Sequence, residues 1–463
     1  MRTHGWMTRR LAAWCVATMA TAAALPLGPV AAQQPLPAED TAAGPQYPLP
    51  AGPRTGEELT VYHAVFDQGD AVWEKFGHNA IWIHDATSGS TISYNYGMFS
   101  FDQAGFIPRL MRGDMLYWMD ARNADDELAA YTYFDRTVTV QRLNLLPAQR
   151  HALREYLEWN WLPENREYLY DYFRDNCSTR VRDALDRALG GAISGALTGV
   201  PSGTSFRWHS LRLTAASTAT SAGLLLGLGP PTDEPIDAWE EGFIPMLLMD
   251  HLRTVQVPDG RGGMQPLVAE ERVLYQSSRE PAAAAPPSRI AGFLLVGVLA
   301  GAAFAALGYF AGRRRQAGRR AAFGLAVAFT AWGVITGFFG LILALLWAAT
   351  NHVYSYGNLN LLQVNPLGFL LAVAAPLAVL HRTTGRFHAT SRLAWPAAVT
   401  PAALSIVGLL LHAVPGVDQV NGPIIALALP IHLGAVLALY QAIRGPASSN
   451  EDASAEMRLP AAA

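Results

Sequence analysis

Cys177, in the stretch YDYFRDNCSTRVRDALDRAL, is the residue whose setting first suggests chemistry. Asp175 and Asn176 are good helix caps, and Val181, Ala184, Leu185 and Leu189 recur at helical spacing. A helix over Ser178–Leu189 therefore puts Cys177 at or within its first turn. There the positive end of the helix dipole, with Arg180 and Arg182 nearby, is expected to lower the thiol pKa and raise the thiolate fraction. A structural cysteine more often faces the core in mid-helix. A thiolate nucleophile needs an acid–base partner, usually histidine, and the candidates are His63, His78, His84, His151, His209 and His251. His78 follows Phe76-Gly77, a turn, and opens the run HNAIWIHD, from which its imidazole can reach the end of a sheet. His84 lies on the same strand face about 20 Å further along, at ~3.3 Å per residue, so the two cannot share one sulfur. His84 reads instead as a polar residue at a strand end. Asn95 of SYNYG, on the face opposite Tyr94 and Tyr96, is the candidate third group that fixes the His78 tautomer; a local turn bond is its alternative. Arg109 and Arg112 either pair with Asp114 or hold a lipid phosphate, the ion pair being the stronger reading. Trp82 and Trp118 belong to the core. No cofactor and no metal site is expected.

The elements that must position these residues read as α+β. Residues 60–66, 78–85, 91–97 and 137–145 have the β-branched and aromatic content of strands, and Pro147–Leu162 and Ser178–Leu189 are helical, giving strands early and helices later. This soluble domain is expected to span 56–278, long enough for a sizeable core. Before it, residues 1–32 have the basic start, short apolar run and Val30-Ala31-Ala32 end of a secretory signal, and 33–55 form a Pro/Ala/Gly-rich tether. Removal of the signal takes away Cys15 and leaves Cys177 as the lone thiol of a chain with 2 cysteines, unable to form an internal disulfide.

Only 15% of the 463 residues are charged and mean hydropathy is +0.15, and the deficit sits almost wholly after Arg289. Beyond a linker at 279–289, five apolar stretches approach the ~20 residues that cross a bilayer: Ile290–Ala311, Ala321–Thr350, Leu361–Leu380, Leu393–Val414 and Pro423–Ile443. Arginines gather at 313–320, 382–392 and 444, whereas the alternate loops, Asn351–Asn360 and Pro415–Gly422, carry no Lys or Arg. The arginine loops and the tail 444–463 therefore belong in the cytoplasm and the soluble domain outside. The outer stretch Asn351–Asn365, with His352, Asn358, Asn360 and Gln363, is either a plain loop or part of a lipid-substrate site. A formal net charge of -3 provides no basic field, which argues against nucleic acid as a partner.

Taken together and in order, FGHNAIWIHD, SYNYGMFSFD, RLNLLPAQ and YLYDYFRDNCSTRVRD resemble the Lnb-type N-terminal periplasmic domain of bacterial envelope proteins; GPPTDEPIDAWEEGFIPMLLMDHL and NHVYSYGNLNLLQVNP are similar to that family as well. The resemblance implies a circularly permuted papain-like fold, akin to NlpC/P60 proteins and lecithin:retinol acyltransferase, in which the histidine precedes the cysteine. It implies Cys177 as nucleophile and His78 as base, an inner-membrane location, and lipoprotein N-acylation. The acyl donor would be a membrane phospholipid and the acceptor the amine of a diacylglyceryl-cysteine lipoprotein. An envelope cysteine hydrolase, peptidase or peptidoglycan amidase, using the same pair remains the alternative, with a non-enzymatic receptor or assembly factor as a third.

Overall fold

A computed structural model of the chain describes residues 55–313, 316–382 and 390–444. The expected signal (1–32), nearly all of the tether, Arg314, Arg315 and Arg386, and the tail beyond Arg444 lie outside the described residues.

Seven antiparallel strands form the main sheet. They are β1 (Leu59–Phe66), β2 (His78–Asp85), β3 (Ser90–Met98), β4 (Leu116–Asn123), β5 (Val138–Leu143), β6 (Glu167–Leu169) and β7 (Val268–Tyr275), in the order β7-β5-β1-β2-β3-β4-β6. Register is set at the site by Phe66↔His78 between β1 and β2 and by Ala80↔Asn95 between β2 and β3. Because successive strand residues point to opposite faces, β2 sends His78, Ala80 and Trp82 one way and Asn79, Ile81 and Ile83 the other. The second face carries the main core, covered by α3 (Pro147–Trp161) and α4 (Cys177–Ala188), with Leu153, Leu157, Val181 and Leu185 packed on Val61, Ile81 and Tyr96. The first face buries Phe66, Ala80 and Trp82 under α2 (Ala124–Tyr133). A short helix, α1 (Phe106–Arg112), precedes β4.

The expected strands and both helices are present to within a few residues, but the order is not simply strands and then helices. β7 returns after the helices to pair with β5 as an edge strand. Its run VAEERVLY places Glu270, Glu271 and Arg272 in water, as an edge that must not recruit another strand requires, and that masks it as a strand.

A further helix, α5 (Thr218–Gly227), precedes β7, and from Ile290 the described residues are mainly helical: α6 (Ile290–Ala311), α7 (Gln316–Ala349), α8 (Gly368–Arg382), α9 (Thr390–Leu411) and α10 (Gly422–Arg444). Among the described residues four helices are long and apolar enough to cross a membrane: Ile290–Ala311, Gly318–Ala349, Arg392–Leu411 and Gly422–Arg444. The third expected stretch, Leu361–Leu380, is the exception. Its first residues lie in a 3-10 turn (Leu359–Leu362), and the 15 residues of α8 reach only about 22 Å at ~1.5 Å per residue. The turn is held from outside the helices. Asn358 Nδ2 donates to the carbonyls of Leu226, Gly227 and Leu228, Asn360 Nδ2 donates to that of Leu225, and Gln419 and Asn421 bond to Asn358 and Asn360 in turn. These asparagines spend their amides on docking the loop to the end of α5. α6 and α10 pack along a small-residue seam: a Cβ on Gly297, Gly301 or Gly308 would lie 2.3–2.5 Å from the backbone of α10.

Candidate active site

The helix that begins at Cys177 is built around Asn176. Its Oδ1 accepts the backbone N–H of Ser178 and of Thr179, both at 2.9 Å, while Thr179 Oγ1 accepts the N–H of Asn176 at 2.8 Å. Asn176 Nδ2 donates to the carbonyls of Tyr172 and Phe243, which anchors the cap itself. α4 therefore begins at Cys177 rather than one residue later. The cap serves the second and third helical N–H groups, and the N–H of Cys177, in first position, is left outside it. Cys177 meets β3 where there is no side chain: a Cβ on Gly97, at φ +90, would stand 3.0 Å from the Cys177 Cβ.

The expected lowering of the thiol pKa is overturned. Burial pushes the half-buried Cys177 thiol up to about 11, outweighing the backbone N–H groups of Ser178 and Cys177 and the charge of Arg136, which act the other way. The two arginines expected to help are committed elsewhere. Arg180 forms a two-pronged pair with Asp175 and lies over the Tyr168 ring, and Arg182 pairs with Asp183 and lies over Trp239.

His78 is half-buried, beside the stacked rings of Phe66 and Tyr131 and nearly parallel to both, at centroid distances of 5.9 and 6.4 Å. Its Nε2 donates to Asn95 Oδ1 at 2.8 Å, Asn95 Nδ2 donates to Ser93 Oγ at 2.9 Å, and Ser93 Oγ donates to Glu127 Oε2 at 2.5 Å. Trp82 Nε1 donates to the same Glu127 oxygen. An amide oxygen can only accept, so this chain assigns the proton to Nε2 and leaves Nδ1 as a lone pair. Among the described residues that Nδ1 has no hydrogen-bond partner, and no hydrogen bond joins His78 to Cys177. Burial holds the imidazole down to about 4 against the raising effect of Asn95, with Arg136 and Arg122 adding to the depression. The resting pair is thus a thiol and a neutral imidazole. Tyr131 ties the two together, stacking on His78 while its phenol is raised by burial and also by the charge of a Cys177 thiolate.

Sequence reasoning missed the far end of this chain. Glu127 is buried, with its carboxyl pKa raised by burial, and nothing in ADDELAAY distinguishes it from its acidic neighbours. Ser93 was findable, since it sits two residues from Asn95 on the same strand face. Among the described residues His84 bonds only across to Thr91, at the end of its strand. His151 faces Glu155, and His209 and His251 both bond to Glu241.

A second polar chain runs on the other face. His63 Nδ1 bonds to Gln141 Oε1 at 3.1 Å, His63 Nε2 to Asn79 Nδ2 at 3.0 Å, and Asn79 Nδ2 also reaches Ser178 Oγ at 3.3 Å. Ser178 Oγ then donates to the Gly242 carbonyl at 2.7 Å. Asn79 and Ser178 directly follow His78 and Cys177, so a clamp between the followers holds the leaders near one another. The backbone N–H of Asn79 also lowers the thiol pKa slightly, which places it beside the sulfur.

Tyr117 and Tyr170 stack at 4.0 Å, and both phenols are raised by burial, with the charges of neighbouring tyrosines and of a Cys177 thiolate adding to it. The same two rings wall a cleft of about 100 Å³ that reaches Leu110 on one side and His352 and Tyr354 on the other. The Arg109 and Arg112 expectation is corrected here. Asp114 accepts from Asn351 Nδ2 at 2.6 Å, and among the described residues neither arginine has an ion pair.

No curated protein and no solved structure matches the chain. Residues 55–211, the stretch that holds β1 through α4 and both Cys177 and His78, match the family described as the Lnb N-terminal periplasmic domain. With apolar helices long enough to cross a membrane following it, the chain is a membrane protein in which residues 55–211 are similar to the Lnb N-terminal periplasmic domain.

Proposed function

We propose that the protein is an inner-membrane lipoprotein N-acyltransferase in which Cys177 is the nucleophile, His78 the acid–base group and Asn95 the residue that orients it. The observation that carries this reading is the His78–Asn95 bond at 2.8 Å, which leaves Nδ1 unspent, while the Asn79–Ser178 bond draws its segment toward Cys177 at the first position of α4. A histidine before the cysteine on a neighbouring strand is also the order of a permuted papain-like fold.

Because the resting thiol lies near 11 and the imidazole near 4, the proton moves during attack and not before it. As Cys177 Sγ bonds to the carbonyl carbon of a phospholipid ester, its proton passes to His78 Nδ1. The carbonyl oxygen gains charge within reach of the uncapped N–H of Cys177 at the helix terminus. The C–O bond then breaks, His78 returns its proton to the leaving lysolipid oxygen, and a thioester remains on Cys177. The amine of a diacylglyceryl-cysteine lipoprotein next attacks that thioester, loses a proton to His78, and the C–S bond breaks to give an amide and the restored thiol. Tyr117, Tyr170 and Leu110 at the cleft support transfer between lipids over hydrolysis, since an apolar wall disfavours water as acceptor.

Mass spectrometry of a lipoprotein amino terminus tests the reading. Cells carrying the protein are expected to add one acyl chain that Cys177→Ala cells do not; undiminished N-acylation with Cys177→Ala refutes it.

A further inference from the structure

α1 is amphipathic although only seven residues long. Phe106, Ile107, Leu110 and Met111 share one side at i, i+1, i+4 and i+5, with Arg109 and Arg112 on the other. The apolar side is uncovered: Ile107 is 59%, Leu110 40% and Met111 65% exposed. Trp73 and Phe101, also exposed, extend the patch and meet edge-on at 6.3 Å.

The position of α1 along the membrane normal follows from its bonds. Asn351 N–H donates to the Arg112 carbonyl at 2.7 Å, Asn351 Nδ2 to Asp114 at 2.6 Å, and His352 Nε2 to the Leu110 carbonyl at 2.9 Å. Asn351 stands two residues beyond the end of α7, whose last turns still show Leu345 and Trp347 to the outside. An exposed Trp near the end of an apolar span marks the bilayer surface. α1 is therefore tied at that surface, with its apolar side bare and its two arginines, which have no ion pair among the described residues, at the height of lipid phosphates. From the patch a run of rings leads inward: Phe101 to Phe99 at 5.1 Å, Phe99 to Tyr117 at 5.2 Å, and Tyr117 to Tyr170, the pair beside Cys177.

We propose that α1, with Trp73 and Phe101, dips into the outer leaflet of the membrane that α7 crosses and forms the lip over which a phospholipid acyl chain passes to the Tyr117–Tyr170 wall. The acyl-delivery half of this statement rests on Cys177 acting on a membrane lipid; the insertion half does not.

The two halves are separated by two measurements on the full chain in vesicles of phosphatidylethanolamine and phosphatidylglycerol. In the first, a nitroxide is attached at Met111→Cys in a Cys15→Ser, Cys177→Ser background, with Tyr133→Cys, on the far more exposed end of α2, as the water-facing control. Collisions with oxygen are expected to exceed those with a water-soluble nickel chelate at position 111 and the reverse at 133; water-like behaviour at both overturns insertion. In the second, intact mass follows acylation of Cys177 from vesicle phospholipid and from a short-chain soluble ester. Ile107→Glu with Met111→Glu is expected to lower the vesicle-to-soluble ratio about tenfold, because charge on the lip opposes insertion. An unchanged ratio overturns delivery over the lip. No adduct from either ester in the unaltered protein refutes the acyltransferase reading instead, and the nitroxide result then decides insertion by itself.

Discussion

Two histidines on adjacent strands, His63 and His78, have nearly the same surroundings by most measures and opposite consequences. Each bonds to an amide side chain, and burial brings each down to about 4. The difference is in how the ring nitrogens are used. His63 donates from Nδ1 to Gln141 Oε1 and accepts from Asn79 Nδ2 at Nε2, so both nitrogens are occupied and the ring is a strut. His78 donates from Nε2 to Asn95 and keeps Nδ1 free. The two rings are opposite tautomers, fixed by acceptors on opposite faces of one sheet. Low basicity marks a histidine as buried; an unspent nitrogen is what the proposed base has and the strut lacks.

The largest effects come from exchanging these roles by mutation. His78→Ala is expected to lower kcat/KM for thioester formation by about 10³-fold, within the span usual for loss of a general base, with little change in Tm. His63→Leu is expected to do the reverse. It strands Gln141 Oε1 and the Asn79 amide and costs about 1–3 kcal/mol of stability, while kcat of the folded fraction stays within a few-fold. Its pH dependence carries a sign as well. A histidine held below its free value takes up protons more readily when unfolded, so its burial costs stability as pH falls from about 6.5 toward 4. His63→Leu removes that contribution, so unfolding followed from pH 7 to 4 should show a shallower acid loss than in the parent. Equal losses of activity in the two variants would break the comparison.

Asn95→Ala sharpens it at the next level. Loss of the bond that fixes Nε2–H should cut kcat by about 10²-fold through misorientation of the ring. Asn95 also raises the His78 pKa, so the acid limb of the rate profile, which falls as pH drops through about 4, should move to lower pH in the slower variant. A limb that moves upward would mean that Asn95 acts some other way. In parallel, iodoacetamide should alkylate Cys177 slowly at pH 7 and ever faster toward pH 11, because the thiol, raised by burial, must ionise to react. A labelling rate already level by pH 7 would signify a preformed thiolate.

How much of this was legible beforehand differs between the two faces. The places of Cys177, His78 and Asn95 in the fold were readable because each stands at a local signal: a helix cap, a strand after a glycine turn, and an amide on the strand face opposite two tyrosines. Capping and alternation are properties of neighbours in sequence, and they survived folding. Glu127, His63 and Ser178 were not readable, because their roles depend on partners 34, 78 and 99 residues away across the sheet. The thiol pKa was misjudged for a related reason. Arg180 and Arg182 are close in sequence, but Asp175 and Asp183 hold them, and burial, which sequence spacing does not reveal, dominates. In the helical half, composition located every apolar stretch, yet the start of α8 was missed because Asn358 and Asn360 bind the distant end of α5.

Ser178→Ala should have the smallest effect and is the finest test of whether the two faces act separately. The substitution removes the donor to the Gly242 carbonyl and one of the two acceptors of Asn79 Nδ2, whose other acceptor, His63 Nε2, remains. About 1 kcal/mol of stability is expected to go, the ordinary worth of one buried hydrogen bond, visible as a Tm shift of a few degrees. The clamp is only one of the features that hold Cys177. Asn176 still caps the helix and Gly97 still receives the Cys177 side chain, so kcat should fall less than about threefold. If Ser178→Ala slows thioester formation as much as Asn95→Ala, the His63 face reaches the sulfur through the clamp, and strut and base belong to one network divided only by the plane of the sheet.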